Sequence, residues 1–147
     1  MANHHTKDKG DLGVGMVISD LMCHGIGVFI PLSEHQPMDL IAVDERGKIA
    51  RVQVKYRRMR ANGSIQIDFR NTYSDSHGSH KKLADRTQFD CYAIYCPEAK
   101  KIYYLRNDDI PEENHLCTTI RVIHPANNQR KKVMMASDYE AFDRIFD

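Results

Sequence analysis

A carboxylate, an amide and an amine stand in this chain at a spacing that could place them in one polar cleft. Asp39 comes directly before the short apolar run Leu40–Val43. Gln53 and Lys55 are two residues apart in the alternating run Ile49–Tyr56, so their side chains point to the same face of a strand. If the two runs pair as neighbouring strands, all three polar groups lie close together.

Arg51 extends this polar row by one more position on the same face of the strand. The run at 40–43 is continuously apolar, as is typical of a strand buried on both faces. Burying polar groups without partners costs a few kcal/mol each. A polar row beside a buried strand therefore indicates a cleft, and the alternative is an ordinary strand side that faces solvent.

The elements that must position these residues alternate between helix and strand patterns, which predicts an α/β fold. Apolar residues at helical spacing predict a first helix over residues 8–24, and Gly25 is placed to end it in a left-handed turn. Residues 81–87 and 138–146 favour two further helices, and the polar stretch 70–80 favours a loop. The predicted strands are 27–32, 40–43, 49–56, 64–69, 91–95, 102–105 and 120–123.

The two polar segments resemble the half-motifs of the PD-(D/E)XK nuclease superfamily. Residues 37–39 (PMD) fit the first half-motif and residues 53–55 (QVK) the second, and the likeness continues at 9–13 and 89–95. It is closest to the branch that contains a bacterial group I intron homing endonuclease, and more distant to archaeal Holliday-junction resolvases. The resemblance implies one nuclease domain over residues 1–147, with a restriction-endonuclease-like core.

The expected core is a central mixed β-sheet flanked by helices in the order α-β-β-β-α-β. The implied activity is that of a metal-dependent DNA endonuclease, of the site-specific homing type, that hydrolyses phosphodiester bonds. Asp39, Gln53 and the Val54 carbonyl would hold Mg²⁺, with Mn²⁺ as the alternative ion, while Lys55 would orient the attacking water. A junction resolvase, a restriction-type nuclease and a DNA-binding relative without activity remain alternatives.

Two positions depart from the pattern of the superfamily. Gln53 replaces the usual second acid, as in the QxK variant of the homing branch. Val14 stands where members often have a glutamate on the first helix. Asp11 is then the best candidate for a second catalytic carboxylate, although it could equally cap the helix.

Basic residues are clustered although the net charge of the chain is only +1. That balance argues against a generally basic nucleic-acid binder, so the distribution of charge carries the information. We predict that Arg57, Arg58, Arg60, Lys81 and Lys82 contact the DNA backbone, and a solvated face is the alternative for each cluster. A third cluster consists of Arg130, Lys131 and Lys132.

Double-stranded DNA is the expected partner. A homo-oligomer is also expected, because one such domain has a single active site and cutting both DNA strands needs at least two. Both a dimer and a tetramer are consistent with this requirement. No apolar run approaches the roughly 20 residues that cross a bilayer, and the first nine residues are polar. We therefore expect no membrane partner and a location in the cytoplasm. A module of α/β fold that binds no nucleic acid would leave the polar row unexplained.

Overall fold

The computed structural model of the chain describes residues 6–127 and 133–147, so the basic cluster at 130–132 lies outside the described residues. Within them the chain forms one α-helix and ten β-strands, joined in places by short 3₁₀ turns. The elements are α1 (Thr6–Cys23), β1 (Gly27–Phe29), β2 (Leu40–Val43), β3 (Ile49–Tyr56), β4 (Ser64–Asp68), β5 (Arg70–Asp75), β6 (Gly78–Leu83), β7 (Cys91–Cys96), β8 (Lys101–Arg106), β9 (Cys117–Arg121) and β10 (Met134–Met135).

Five of the strands form a central mixed sheet in the order β1-β2-β3-β7-β8. β3 and β7 run parallel, and the other neighbours in this sheet are antiparallel. A smaller sheet, β10-β9-β4, packs against one face of it, and β5 and β6 form a separate two-stranded ribbon. The predicted pairing of the strands at 40–43 and 49–56 is confirmed, with Leu40 opposite Val52.

Helix α1 covers one face of the central sheet through its buried stripe. The helix backbone comes near β3 at Gly13, where an added Cβ would be in van der Waals contact with the Tyr56 Cβ at 3.4 Å. The helix ends as the sequence predicts, since the Gly25 amide donates to the Met22 carbonyl and the Ile26 amide to Leu21. Gly25 has a φ of 76°, which a residue with a side chain rarely adopts.

A second apolar cluster lies on the opposite face of the sheet, under the small sheet. There Tyr92, Ile94 and Leu105 from β7 and β8 pack against Ile65 and Ile67 from β4. This layer covers β7 and β8 and stops at β3. The polar residues of β3 therefore lie along the margin of the second core, while its apolar residues lie beneath α1.

Three predicted segments have a different structure from the one expected. Residues 70–80 are not a loop but most of the β5–β6 ribbon. Residues 81–87 form no helix, because they continue β6 and then enter a 3₁₀ turn at Arg86–Gln88. The second helix of the expected order is thus absent from the described residues. The closing helix at 138–146 is replaced by two 3₁₀ turns, Ala136–Tyr139 and Phe142–Phe146.

Candidate active site

Asp39 is held against β3 by hydrogen bonds to the main chain. Its amide donates to the Val52 carbonyl at 2.9 Å, and the Val54 amide donates to its carboxylate at 2.7 Å. The amide and carbonyl of one strand residue point to the same side, so the Val54 carbonyl also faces the β2 side. The Asp39 carboxylate consequently lies beside the backbone segment that links Gln53 to Lys55.

Gln53 and Lys55 line a cleft of about 290 Å³ on the polar face of β3. Both side chains are half-buried, which agrees with the cleft predicted from the polar row. Other walls come from the loop before β2, the root of the ribbon, the 3₁₀ turn after β6, and β7: His35, Gln36, Pro37, Asn71, Ala84, Asp85, Gln88, Phe89 and Tyr92.

Burial disfavours the charged forms of both Asp39 and Lys55. Burial raises the pKa of Asp39 above its ordinary value, although the Val54 amide and the charge of Lys55 pull it back down. Burial likewise lowers the pKa of Lys55, with Arg57 adding to the effect and Asp39 opposing it. Each of the two charges therefore stabilises the other in a place that disfavours both.

Tyr92 is a polar member of the cleft that the sequence analysis missed. It lies opposite Gln53 across the parallel β3–β7 pair and has no exposed surface. Its ring packs edge-on against Phe89, and the Lys55 Nζ lies 5.8 Å from the ring centroid. Its hydroxyl has no hydrogen-bond partner among the described residues, and burial raises its pKa to about 12. The hydroxyl is therefore neutral and free to donate.

Arg51, the first residue of the polar row, is part of an ion pair and not of the cleft. Its guanidinium donates to both carboxylate oxygens of Asp90, at 2.9 and 3.2 Å, and to the Thr87 carbonyl. The Arg51 amide also donates to the same carboxylate. This pair fixes the start of β7 beside β3. It also supplies hydrogen-bond acceptors for Arg51, the residue of the polar row that precedes Gln53.

Two of the predicted basic clusters meet in one groove of about 410 Å³ at the end of β3. The groove is lined by Arg57, Arg58, Arg60, Gln66, Asp68, Arg70, Thr72 and Lys81. Lys81 reaches it from β6, while the neighbouring Lys82 points to the other face of the ribbon. Arg70 was missed because it is an isolated cation in the sequence, and it becomes part of the groove only when β5 pairs with β6.

Asp11 is exposed on α1 and does not line the cleft of Gln53 and Lys55. The helix already includes Thr6, so Asp11 lies within the second turn and does not cap it. Across the described residues, no three His, Cys, Asp or Glu side chains are grouped so that they could hold a metal. A catalytic role for Asp11 stays a prediction.

Comparison with known proteins gives the family to which this fold and site belong. The model of the PD-(D/E)XK endonuclease family matches residues 4–142, so the chain belongs to this family. The resemblance drawn from residues 37–39 and 53–55 is thereby confirmed. Nucleases of this family generally use divalent metal ions, and their substrate is DNA.

One solved structure similar to the chain is that of a bacterial homing endonuclease, I-Ssp6803I. The two are 24% identical, the match covers 92% of this chain and 88% of the other, and the TM-score is 0.69. The match confirms the restriction-endonuclease-like α/β fold. A search of curated protein sequences returns no match. Within the part of the chain that the structure describes, no helix has the length and hydropathy that a bilayer crossing requires.

Replacing Tyr92 by Phe should leave the free energy of unfolding unchanged or raise it by up to about 1 kcal/mol, because the hydroxyl makes no hydrogen bond that the variant would lack. Tyr104→Phe is the matched control, since the buried Tyr104 hydroxyl donates to Asp20 at 2.5 Å. Removing that hydroxyl should cost about 2 kcal/mol, as for other bonds to a charged acceptor. Urea denaturation measures both values. Equal destabilisation of the two variants would show that the Tyr92 hydroxyl has a partner.

Proposed function

We propose that the protein is a metal-dependent DNA endonuclease that hydrolyses phosphodiester bonds at specific sites, as homing endonucleases do. The observation that carries the proposal is the hydrogen bond from the Val54 amide to the Asp39 carboxylate. It holds the Asp39 carboxylate against the main chain between Gln53 and Lys55, beside the polar cleft that these two side chains line. The homing-type assignment rests on Gln53, the feature that the chain shares with the QxK branch.

The oxygen donors in the cleft and directly beside it fit a hard divalent cation. Asp39 supplies a carboxylate, Gln53 a side-chain amide oxygen and Val54 a main-chain carbonyl, all of them ligand types that Mg²⁺ accepts. Mg²⁺ suits such a sparse set because it keeps several waters and binds substrate phosphate directly, and Mn²⁺ can serve as a substitute. When bound, the ion supplies charge neutralisation on the phosphate and lowers the pKa of water.

Lys55 supplies the fixed positive charge of the site. Its ammonium group has donors for a water molecule and for a phosphate oxygen, and partial burial strengthens both interactions. Asp39 favours the protonated form of Lys55, because its charge opposes the fall in the lysine pKa that burial and Arg57 cause. We assign to Lys55 the orientation of the attacking water and the stabilisation of charge that develops on the phosphate.

The basic groove binds the DNA backbone beside the cleft. Arg57 connects the two, since it follows directly after β3 and its amide donates to the Tyr95 carbonyl of β7. Double-stranded cleavage requires two such sites, and we propose that the protein acts as a homo-oligomer, either a dimer or a tetramer. We place the enzyme in the cytoplasm.

One observation favours a second candidate, a DNA-binding relative that does not cleave. Asp39 is not joined by two further acidic, histidine or cysteine ligands within residues 6–127 and 133–147. Incubation with linear duplexes and four-way junctions, with and without Mg²⁺ or Mn²⁺, separates the candidates. Cleavage of duplexes supports the main proposal, cutting restricted to junctions favours a resolvase, and binding without cleavage favours the inactive relative.

Asp39→Ala and Lys55→Ala should each abolish cleavage while DNA affinity stays within about tenfold, roughly 1.4 kcal/mol. The reason is that both groups act on the reacting phosphate and not on the docked backbone. Glu45→Ala and Lys48→Ala, at the exposed turn between β2 and β3, are matched controls that should cleave normally. A gel-based cleavage assay measures the rates. Near wild-type cleavage by either site variant would show that the assigned site is wrong.

The cleavage rate should be bell-shaped in pH. Protonation of Asp39 removes a metal ligand, so the rate falls as the pH drops through a pKa above the ordinary 3.8. Deprotonation of Lys55 removes the positive charge, so the rate falls as the pH rises through a pKa below the ordinary 10.5. Single-turnover rates across the pH range give both limbs.

Two changes separate these limbs. More Mg²⁺ should move the acid limb to lower pH, because the ion competes with the proton for Asp39. Lys55→Arg, which stays protonated, should move the alkaline limb of its residual activity to higher pH. These assignments are contradicted if the acid limb does not shift with the metal concentration. They are also contradicted if the alkaline limb is unchanged in Lys55→Arg.

Replacing two of Arg57, Arg58 and Arg60 by Ala should weaken binding to all DNA sequences alike. The slope of log K against log salt concentration should flatten by about 0.9 for each phosphate that the variant no longer neutralises. Binding titrations at several salt concentrations measure the slope. Arg46→Ala with Lys48→Ala is the control, because this turn lies at the far end of β3, roughly 25 Å along the strand. An unchanged slope in the groove variant would mean that the arginines form only a solvated face.

A further inference from the structure

The β5–β6 ribbon is a well-formed element that contributes to neither apolar core. Between positions 71 and 79 every residue is exposed. No residue of the ribbon belongs to the two buried clusters of the described chain. Hydrophobic burial therefore does not account for the stability of the ribbon, and an isolated two-stranded hairpin is only marginally stable in water.

Polar contacts between its two strands give the ribbon its shape. Asp75 accepts hydrogen bonds from the His77 amide at 2.8 Å and from the His80 ring at 2.9 Å. The rings of Tyr73 and His80 lie 5.2 Å apart on the same face. One face of the ribbon is thus occupied by contacts among its own side chains.

The opposite face of the ribbon carries short hydroxyl side chains. Thr72, Ser74 and Ser79 lie on this face, and Lys81 stands at its root opposite Thr72. The hydroxyls of Ser74 and Ser79 are 3.2 Å apart, so each keeps further hydrogen-bonding capacity toward solvent. Thr72 and Lys81 also line the basic groove, which makes the hydroxyl face continuous with it.

The root of the ribbon is fixed with respect to the cleft. The Arg70 amide and guanidinium donate to Asp68 at 2.8 to 3.0 Å, and the Ala84 amide donates to the Phe69 carbonyl. Asn71, next to this anchor, lines the cleft of Gln53 and Lys55. A DNA duplex that binds along the basic groove and places one phosphate at the cleft would therefore contact the ribbon.

We infer that the ribbon enters the major groove of the DNA and reads base edges through Thr72, Ser74 and Ser79. This inference rests on the proposed nuclease function and names the surface that selects its target. The major groove is about 12 Å wide and admits a two-stranded ribbon. Six strand residues reach roughly 20 Å, which exceeds the groove depth of about 8.5 Å.

The charges and hydrogen-bonding groups of the ribbon are suited to binding in the major groove of DNA. Residues 70–83 contain three cationic side chains and one carboxylate, which suits the approach of a polyanion. Serine and threonine hydroxyls donate or accept, so they can pair with either kind of base edge. The cations stand near the root, where they can hold the backbone, while the hydroxyls extend toward the tip.

The test is selection of bound sequences from a pool of randomised duplex DNA in a chelating buffer, where no strand is cut. The unmodified chain should enrich a consensus. A variant with Ser74→Ala and Ser79→Ala, the two hydroxyl residues that lie outside the basic groove, should lose adjacent positions of that consensus, and its affinity for the consensus should fall tenfold or more. Its affinity for random duplex should stay within about threefold, because neither serine lines the basic groove and every cation of the groove is retained.

Ser19→Ala with Ser137→Ala is the matched control, since both hydroxyls are exposed and lie outside the ribbon. This variant should enrich the full consensus, and the melting temperatures of both variants should match that of the unmodified chain. Replacement of consensus purines by 7-deaza analogues, which lack the major-groove N7 acceptor, should weaken binding by the unmodified chain.

Two results overturn the inference while leaving the proposed function in place: an unchanged consensus in the ribbon variant, or binding insensitive to 7-deaza purines. Duplex binding by the unmodified chain without any consensus contradicts both the inference and the site specificity of the proposed function. A chain that binds no duplex DNA contradicts the proposed function together with the inference. The two failures are therefore distinguishable in one set of measurements.

Discussion

The register of β2 against β3 is the constraint on which the site depends. Asp39 is positioned by main-chain atoms, because the Val52 carbonyl and the Val54 amide hold its amide and its carboxylate. A shift of one residue would turn Leu40 and Ala42 out of the core as well as moving the carboxylate. The packing of α1 against the apolar face of these strands therefore also sets the geometry of the polar cleft.

β3 organises three different polar environments along a single face. Arg51 at its start is neutralised by Asp90, Gln53 and Lys55 at its middle line the cleft, and Arg57 continues into the basic groove. Charge is thus fully paired at one end and in excess at the other. A polyanion is attracted toward the end where positive charge is in excess, next to Lys55.

The parts of the fold with strong local patterns could be predicted from the sequence. The strands at 40–43 and 49–56 were correct to the residue, and the two-residue spacing of Gln53 and Lys55 identified the cleft. Tyr92 was missed because it lies in an apolar run typical of core, and only the pairing of β7 with β3 shows where its hydroxyl points.

The elements that were predicted wrongly lack a residue pattern from which their structure could be inferred. The ribbon has no apolar alternation, and its strands are stabilised by cross-strand polar contacts that local composition does not encode. The closing segment is split between two cores, with Tyr139 packed on one and Ile145 and Phe146 buried in the other. Two short turns reach both clusters, whereas the apolar spacing alone suggested one continuous helix.

The position of the ribbon in the chain has an evolutionary and engineering consequence. It lies inside the crossover that joins the parallel strands β3 and β7, a connection that must be long in any case. The entropy of closing such a connection rises by only about 0.6 kcal/mol for each doubling of its length. The segment at 70–83 can therefore be lengthened, shortened or exchanged as a cassette while the sheet keeps its pairing. If the ribbon reads the target as proposed, a scaffold of this kind can acquire new targets through one contiguous exchange, without rebuilding the strands that carry Gln53 and Lys55.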